Sequence, residues 1–305
     1  MRCLIIHNPA SGPSSDEIYA FTHALAQGGD EVVMRFIGDG MEPEDAVADV
    51  REFDRVVVSG GDGTVSNVLD QMRGCGVPTL VFPSGTACLF FNNIGNAPEA
   101  AALAKACRAG RTVKVDMGEL FWLDENGNEK CHGFIIIAGS GFDAEIMMKA
   151  APTKNDIGEI AYFLSALATP NPTVAHFTIE HDGIVEELDG TCCMAGNTSV
   201  MQNDINLFPD CRMNDGMVDI AVIEPVRTVQ LLPTVIAAAL DPAGKVLGRP
   251  QFKIIQTKEA KITCTPSLGM QFDGEIISSN SGVFGARALP QCLDLIVDEF
   301  SPLGK

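Results

Sequence analysis

Val56-Val57-Val58-Ser59-Gly60-Gly61-Asp62-Gly63-Thr64 is an apolar β-branched run that breaks on two glycines and passes, through Asp62 and a third glycine, into the helical pattern Val65 to Arg73. A strand that ends on glycines and turns straight into a helix is the βα unit of a mostly parallel sheet. Three glycines let backbone N–H groups approach a phosphate closely, and the helix N-terminus adds a favourable partial charge. Asp62 then has two readings: it faces phosphates through a metal ion, or it caps its helix in a plain βα turn. Two more turns of this kind follow strands, Asn8-Pro9-Ala10-Ser11-Gly12 after Cys3 to His7 and Pro83-Ser84-Gly85-Thr86 after Thr79 to Phe82. All three belong at the carboxyl edge of one sheet, where open α/β folds bind ligands. None is a Walker A loop, because no GxxxxGK[ST] occurs.

Outward from these turns, residues 1–118 read as an α/β domain with a mostly parallel sheet. Its strands are Cys3 to His7, Glu31 to Ile37, Arg55 to Ser59 and Thr79 to Phe82, and its helices lie near Asp16 to Gln27, Pro43 to Phe53 and Val65 to Arg73. Residues 119–305 read as a second, largely antiparallel β-rich domain, with the C-terminal tail packing back on the first. Short runs at Val113 to Val115, Leu120 to Leu123 and Gly133 to Ile137 flank an Asn126-Gly127 hairpin turn. Longer strands are expected at Val174 to Ile179, Ile184 to Met194, Val218 to Ile223, Phe252 to Thr265 and Gly269 to Ile277. Two helices, Ile157 to Ala168 and Val226 to Leu240, interrupt the series, and their apolar stretches Ile160 to Leu167 and Leu231 to Leu240 read as core.

With 305 residues, 46% hydrophobic and 20% charged, the chain has the balance of a globular protein of about two domains. Its net charge of −19 is shared by both halves: 9 bases and 15 acids in residues 1–118, 12 and 25 in the rest. Nucleic acid is therefore not an expected partner, and any phosphate must be held locally. The ten cysteines form no CxxC pair, which fits a reducing, cytoplasmic setting. The opening Met1 to Gly12 reads as a first strand rather than a signal peptide. No apolar stretch approaches the ~20 residues that span a bilayer.

The ordered set of NPASG, GGDGT and PSGT turns resembles the diacylglycerol kinase catalytic family. So do Val115 to Gly118, Gly139-Ser140-Gly141-Phe142-Asp143-Ala144, Pro209 to Gly216 and Phe272-Asp273-Gly274-Glu275. The resemblance runs along nearly the whole chain and implies a two-domain lipid kinase using ATP and Mg²⁺. It implies that Asp62 holds Mg²⁺-nucleotide, with Gly60, Gly61, Gly63 and Thr64 around the phosphates. Asn8, Ser11, Gly12, Gly85 and Thr86 would make further nucleotide contacts, and Asp116 would be a supporting acid near the metal. Asp273 resembles the general base that takes the proton from the lipid hydroxyl, with Glu275 beside it; the plain reading of Asp273-Gly274 is a hairpin turn. Asp215 matches an Asp that binds a structural Mg²⁺ in some bacterial relatives, helped by the carbonyls of Arg212 and Met217; an ordinary Asn-Asp-Gly turn is the alternative. Asp62→Asn is expected to abolish Mg²⁺-dependent nucleotide binding with the fold intact.

The chain also departs from the family pattern. Ser66 and Asn67 stand where relatives read Asn-Glu, and Cys88, Leu89 and Asn92 where they read Asn, often Asp, and Arg. A carboxylate, polar contacts and a cation are thereby missing. The expected function is transfer of the γ-phosphoryl group of ATP to the hydroxyl of a diacylglycerol-like lipid. The alternatives are a kinase for a soluble acceptor such as NAD or a polyol, and a catalytically silent nucleotide- or lipid-binding sensor. Expected partners are a lipid or small-molecule acceptor, a membrane in transient contact, and a second copy in a homodimer. No GxSxG nucleophile elbow occurs, and His176 and His181, five apart, fall on opposite strand faces as structural residues.

Overall fold

The computed structural model describes residues 1–12, 16–38, 40–141, 172–202, 205–225, 228–277 and 281–303. Phe142, Asp143, Ala144, the expected helix Ile157 to Ala168 and residues 226–227 lie outside them. The chain divides into two compact units: Met1–Asp116 with Pro290–Lys305, and Met117–Leu289.

The first unit contains β1 (Arg2–His7), α1 (Glu17–Gln27), β2 (Glu31–Phe36), α2 (Pro43–Ala46), β3 (Arg55–Gly60), α3 (Asp62–Gln71), β4 (Thr79–Pro83), α4 (Leu89–Ile94) and α5 (Ala100–Ala109). The strand pairs among β1 to β4 are parallel: β1 lies between β2 and β3, and β4 lies beyond β3. Cys3 to Ile6 and Val56 to Val58 are fully buried, as expected of strands covered on both faces. The three turns follow β1, β3 and β4, so they sit side by side at one sheet edge. The run expected as one helix from Pro43 to Phe53 is the short α2 and a separate 3₁₀ turn at Val50–Glu52. The helices α4 and α5 carried no periodic signal clear enough to be drawn from sequence.

The strand β5 (Arg111–Leu123) runs unbroken through Gly118, merging two expected runs. It leads into β6 (Glu129–Phe134), β7 (Ile137–Gly141), β8 (Ala175–His181), β9 (Ile184–Gly190), β10 (Cys192–Gly196), β11 (Val200–Gln202), β12 (Ile205–Asn206) and β13 (Val218–Ile223). Then come α6 (Leu232–Leu240), β14 (Phe252–Thr257), β15 (Glu259–Thr265), β16 (Met270–Phe272), β17 (Glu275–Ile277) and β18 (Val283–Val297). In the second unit the order β18-β15-β8-β9 forms one antiparallel layer, and β14-β13-β10-β7-β16-β17 another. Phe177, Ile179, Ile262 and Phe284 of the first pack against Cys193, Val218, Ile220 and Met270 of the second in a single core. Each run expected as one long strand, Ile184 to Met194 and Phe252 to Thr265, is two strands, one in each layer. From Pro290 onward β18 belongs to the first unit, where Leu295 pairs in parallel with Thr79 of β4. His176 is exposed beside Asp189 and His181 is buried, on opposite faces as expected.

Candidate functional site

The three turns of the first unit are stitched to one another. Asn8 N–H donates to the carbonyl of Ser59 (2.9 Å), and its side-chain Nδ2 donates to Thr64 Oγ1 on α3 (2.9 Å). Asn8 Oδ1 accepts from Ala10 N–H (3.0 Å), which folds the first turn on itself. Gly12 has φ +112°, a conformation that favours glycine, and a Cβ there would lie 3.3 Å from the Ser84 carbonyl oxygen. A Cβ on Gly85 would come within 2.5 Å of Gly61 Cα, so the second and third turns meet backbone to backbone with no room for a side chain. Ser11 Oγ is buried among these turns with no protein partner. A buried hydroxyl left unpaired carries a desolvation cost that a phosphate oxygen would relieve, so the turns fit a bound phosphate.

Beneath the turns runs a buried polar chain that sequence reasoning missed. His7 Nδ1 meets Ser59 Oγ (2.9 Å), and Ser59 Oγ meets Ser84 Oγ (2.7 Å); each of these residues is at most 1% exposed. The three residues sit on β1, β3 and just after β4, one under each turn. Burial lowers the His7 pKa, and the rings of Tyr19 and Phe36 abut its imidazole edge-on. The only sequence clue was a polar residue at the inward end of each of three apolar strands.

Asp62 is the first residue of α3, yet its carboxylate reaches across to the third turn. Oδ2 accepts from Leu89 N–H (3.0 Å) and Oδ1 from Phe90 N–H (2.9 Å), the first two residues of α4. It therefore caps a helix, though not its own. Both oxygens are engaged, and a metal ion at Asp62 would have to use the lone pairs these bonds leave. Just ahead of Leu89, Cys88 adopts φ +49° and its thiol donates to the Gly85 carbonyl (3.3 Å). Burial, assisted by the Asp62 charge, pushes the Cys88 thiol up to about 11, so it stays protonated at neutral pH. Ser66 is buried within α3, and Asn92 Nδ2 bonds the Ala87 carbonyl. Asp116, 1% exposed, accepts from Gln291 N–H (2.7 Å) and so holds a left-handed residue (φ +51°) where β18 enters the first unit.

In the second unit Asp273 and Gly274 form the two-residue turn of the β16–β17 hairpin, with φ +42° and +93°. The Asp273 carboxylate accepts three consecutive backbone N–H groups, Ile135 (2.7 Å), Ile136 (2.9 Å) and Ile137 (3.0 Å). Asn197 grips the same segment from its carbonyls, taking Ile136 O through its N–H and Ile135 O through Nδ2. Phe272 stacks on His132, ring centroids 4.1 Å apart. Glu275 is exposed at the start of β17. Farther off, Asp215 is an exposed Asx turn: Oδ1 accepts from Met217 N–H (3.0 Å) and Oδ2 from Gln256 (3.3 Å). Burial raises the pKa of neighbouring Asp219. Among the described residues no cluster of three or more His, Cys, Asp or Glu side chains has the arrangement of a metal site.

The sequence matches the model of the diacylglycerol kinase catalytic domain over residues 2–120 and that of the YegS C-terminal NAD kinase beta sandwich-like domain over residues 136–297. The chain belongs to the diacylglycerol kinase catalytic family. Within the family it is 28% identical to a diacylglycerol kinase of Mycobacterium tuberculosis over 75% of this chain and 73% of that one. It is 26% identical to a diacylglycerol kinase of Bacillus subtilis over 90% of this chain and 89% of that one. The crystal structure of a diacylglycerol kinase from Bacillus anthracis superposes with a TM-score of 0.73 at 21% identity, covering 98% of this chain and 97% of that one. At that identity the superposition establishes the shared fold: a parallel α/β unit and an antiparallel β-rich unit.

Proposed function

We propose that the protein is an ATP-dependent lipid kinase that transfers the γ-phosphoryl group to the hydroxyl of a diacylglycerol-like lipid. The reading rests chiefly on the interlock of three turns on adjacent parallel strands, with the unpartnered Ser11 hydroxyl buried among them. Asn8, Ser11, Gly12, Gly60, Gly61, Gly63, Thr64, Gly85 and Thr86 would surround the phosphates through backbone N–H groups and short hydroxyls. Asp62 would serve Mg²⁺ with the lone pairs left after it caps α4, and Asp116 would act on that site from farther away. Bound Mg²⁺ would neutralise phosphate charge, which dominates catalysis of phosphoryl transfer. Asp215 would hold a structural Mg²⁺ with the Arg212 and Met217 carbonyls.

On this reading the second unit supplies the base. The lipid hydroxyl oxygen bonds to the γ-phosphorus, the bond to ADP breaks, and the hydroxyl proton passes to the Asp273 carboxylate, with Glu275 beside it. The two-residue turn and the three N–H bonds fix that carboxylate before any acceptor arrives, and positioning of this kind is a large part of such catalysis. A soluble acceptor such as NAD is the second reading, favoured by the NAD kinase-like description of the matching β-sandwich domain.

Incubation of the purified protein with radiolabelled ATP and Mg²⁺, against a lipid extract and separately against NAD and polyols, tests the proposal. Label in a lipid product supports it. Label only in a soluble product selects the second reading, and nucleotide or lipid binding without any labelled product selects a silent sensor.

A further inference from the structure

A histidine and two serines close three apolar strands at one sheet edge, and the bonds between them have a direction. His7 Nδ1 lies 2.9 Å from Ser59 Oγ, and Ser59 Oγ lies 2.7 Å from Ser84 Oγ. Each hydroxyl owns one proton, so the state of Nδ1 fixes the sense of both bonds. With a lone pair on Nδ1, Ser84 donates to Ser59 and Ser59 donates to His7, and both hydroxyl protons are used. With a proton on Nδ1, His7 donates to Ser59, Ser59 donates to Ser84, and the Ser84 proton is left over. Among the described residues Ser84 Oγ is bonded to Ser59 alone, and Ser84 is fully buried. A stranded buried donor is costly, so the ligand-free chain runs from Ser84 to His7, and the neutral ring carries its proton on Nε2.

The groups around the ring are Tyr19 and Asp16 from α1 and its N-cap, Phe36 from β2, Ser59 from β3 and Ser84 from the third turn. Arg35, next to Phe36 on β2, is bonded to Asp49. Burial lowers the His7 pKa, and the Ser59 carbonyl and the Asp16 carboxylate act the other way without reversing it. The turns above the chain, Asn8 to Gly12, Ser59 to Thr64 and Pro83 to Thr86, hold no lysine or arginine. A phosphate seated in them would bring the chain two things. Its negative charge favours a positive ring, and its oxygens are acceptors at the turn that contains Ser84.

We propose that His7 takes up a proton when a phosphate group is seated in the three turns, so that the buried imidazolium becomes the cation the turns lack. The proton comes from solvent, ends on Nδ1 and turns both bonds round: His7 donates to Ser59, Ser59 to Ser84, and Ser84 to a phosphate oxygen. The inference rests on the reading of the turns as a nucleotide phosphate site. His7 acts through the two serines and is a positioning residue. The coupling is reciprocal, so a proton on His7 strengthens phosphate binding as much as phosphate strengthens proton binding. Affinity should therefore fall as pH rises through the interval between the free and the bound pKa of the ring, and stay level outside it. A histidine that served only the packing of the core would give the opposite sign, because its protonation would loosen the turns and weaken binding.

Two measurements test it, the first without ligand. Nitrogen-15 NMR of the full chain at about pH 8, where a free imidazole is neutral, should show a lone pair on His7 Nδ1 and a proton on Nε2. The His7 signals among the 5 histidines are those lost in His7→Gln or His7→Asn. A proton on Nδ1 there overturns the proposal. The second is calorimetric titration with ATP in excess Mg²⁺, in two buffers of different ionisation enthalpy, which counts protons taken up. Wild type should take up a fraction approaching one proton per ATP more than either variant. Its affinity relative to theirs should fall about tenfold between about pH 6 and about pH 8, the titration of ATP itself being common to all three. His7→Asn keeps a polar atom near the Nδ1 position and cannot titrate, so it serves where circular dichroism shows His7→Gln unfolded. Proton uptake equal to that of the variants, or an affinity that rises with pH relative to theirs, overturns the proposal and leaves the nucleotide site standing. ATP that binds none of the three proteins at any pH removes the phosphate reading of the turns, and the proposal with it.

Discussion

Replacing Asp62 by Asn changes one oxygen to NH₂ and removes one negative charge, and the structure sets what that should cost. Of the two N–H donors at the start of α4, the amide oxygen of Asn can keep one, Leu89 or Phe90, and must turn its own NH₂ toward the other. A lost charge-assisted hydrogen bond that strands a backbone N–H costs about 1.5–3 kcal/mol, and the lost charge at a helix N-terminus adds about 0.3–1 kcal/mol. Asp62→Asn should therefore destabilise the first unit by about 2–4 kcal/mol, a cost that the expectation of an intact fold did not include. With a urea slope of about 1–3 kcal/mol per molar, the midpoint should drop by roughly 1 M. Calorimetric titration with Mg²⁺-ATP, run where the variant is fully folded, separates the second role: affinity should fall beyond detection if Asp62 also serves the nucleotide. Asp62→Glu restores the charge on a longer arm, so it should recover part of the nucleotide affinity while leaving α4 poorly capped. An unchanged urea midpoint in Asp62→Asn would refute the capping argument, and unchanged Mg²⁺-ATP affinity would confine Asp62 to the cap.

Three further outcomes are expected. Cys88→Asn should raise stability by about 1 kcal/mol in urea unfolding, because Asn tolerates the left-handed conformation at φ +49° that costs other side chains about 1–2 kcal/mol; a lower midpoint would count against it. For His7, burial lowers the folded-state pKa, so between that value and the unfolded value of about 6.5 the unfolded chain binds more protons. Stability should then fall as pH drops below about 6.5, remain level above it on this account, and lose that part of its slope in His7→Gln; parallel pH profiles for variant and wild type would sink the idea. Asp273→Asn should cut turnover by at least ~10²-fold with nucleotide affinity little changed, and near-normal turnover would remove Asp273 from the chemistry.

The parallel unit was legible because its signals are local. An apolar run, a glycine turn and a helix start lie within a dozen residues, so the positions of β1, β3, α3 and β4 followed from sequence within a residue or three. What escaped are features that join distant residues. The partners of Asp62 lie 27 and 28 positions away, those of Asp273 136 to 138 away, and that of Asp116 175 away. No periodicity encodes such pairings. The division of the long strands expected in the second unit was hidden for a related reason: β9 and β10, like β14 and β15, follow each other with a single residue between them but belong to different layers. The strand β18 was missed outright because Pro290 and the left-handed Gln291 interrupt a run that pairs differently on either side of them.

Four of the acids singled out for chemistry share one trait that only the structure exposes. Asp62, Asp116, Asp215 and Asp273 each accept backbone N–H groups, so each locks a turn before it does anything else. The turns themselves, Asn8 to Gly12, Ser59 to Thr64 and Pro83 to Thr86, contain no lysine or arginine. A triphosphate held there would be balanced by backbone N–H groups and a divalent cation rather than by lysine or arginine side chains. Geometry must then do what charge does elsewhere. On the proposed kinase reading, the bonding of the turns to one another and the His7–Ser59–Ser84 chain beneath them would make their mutual positions, more than any single side chain, the quantity on which nucleotide binding depends.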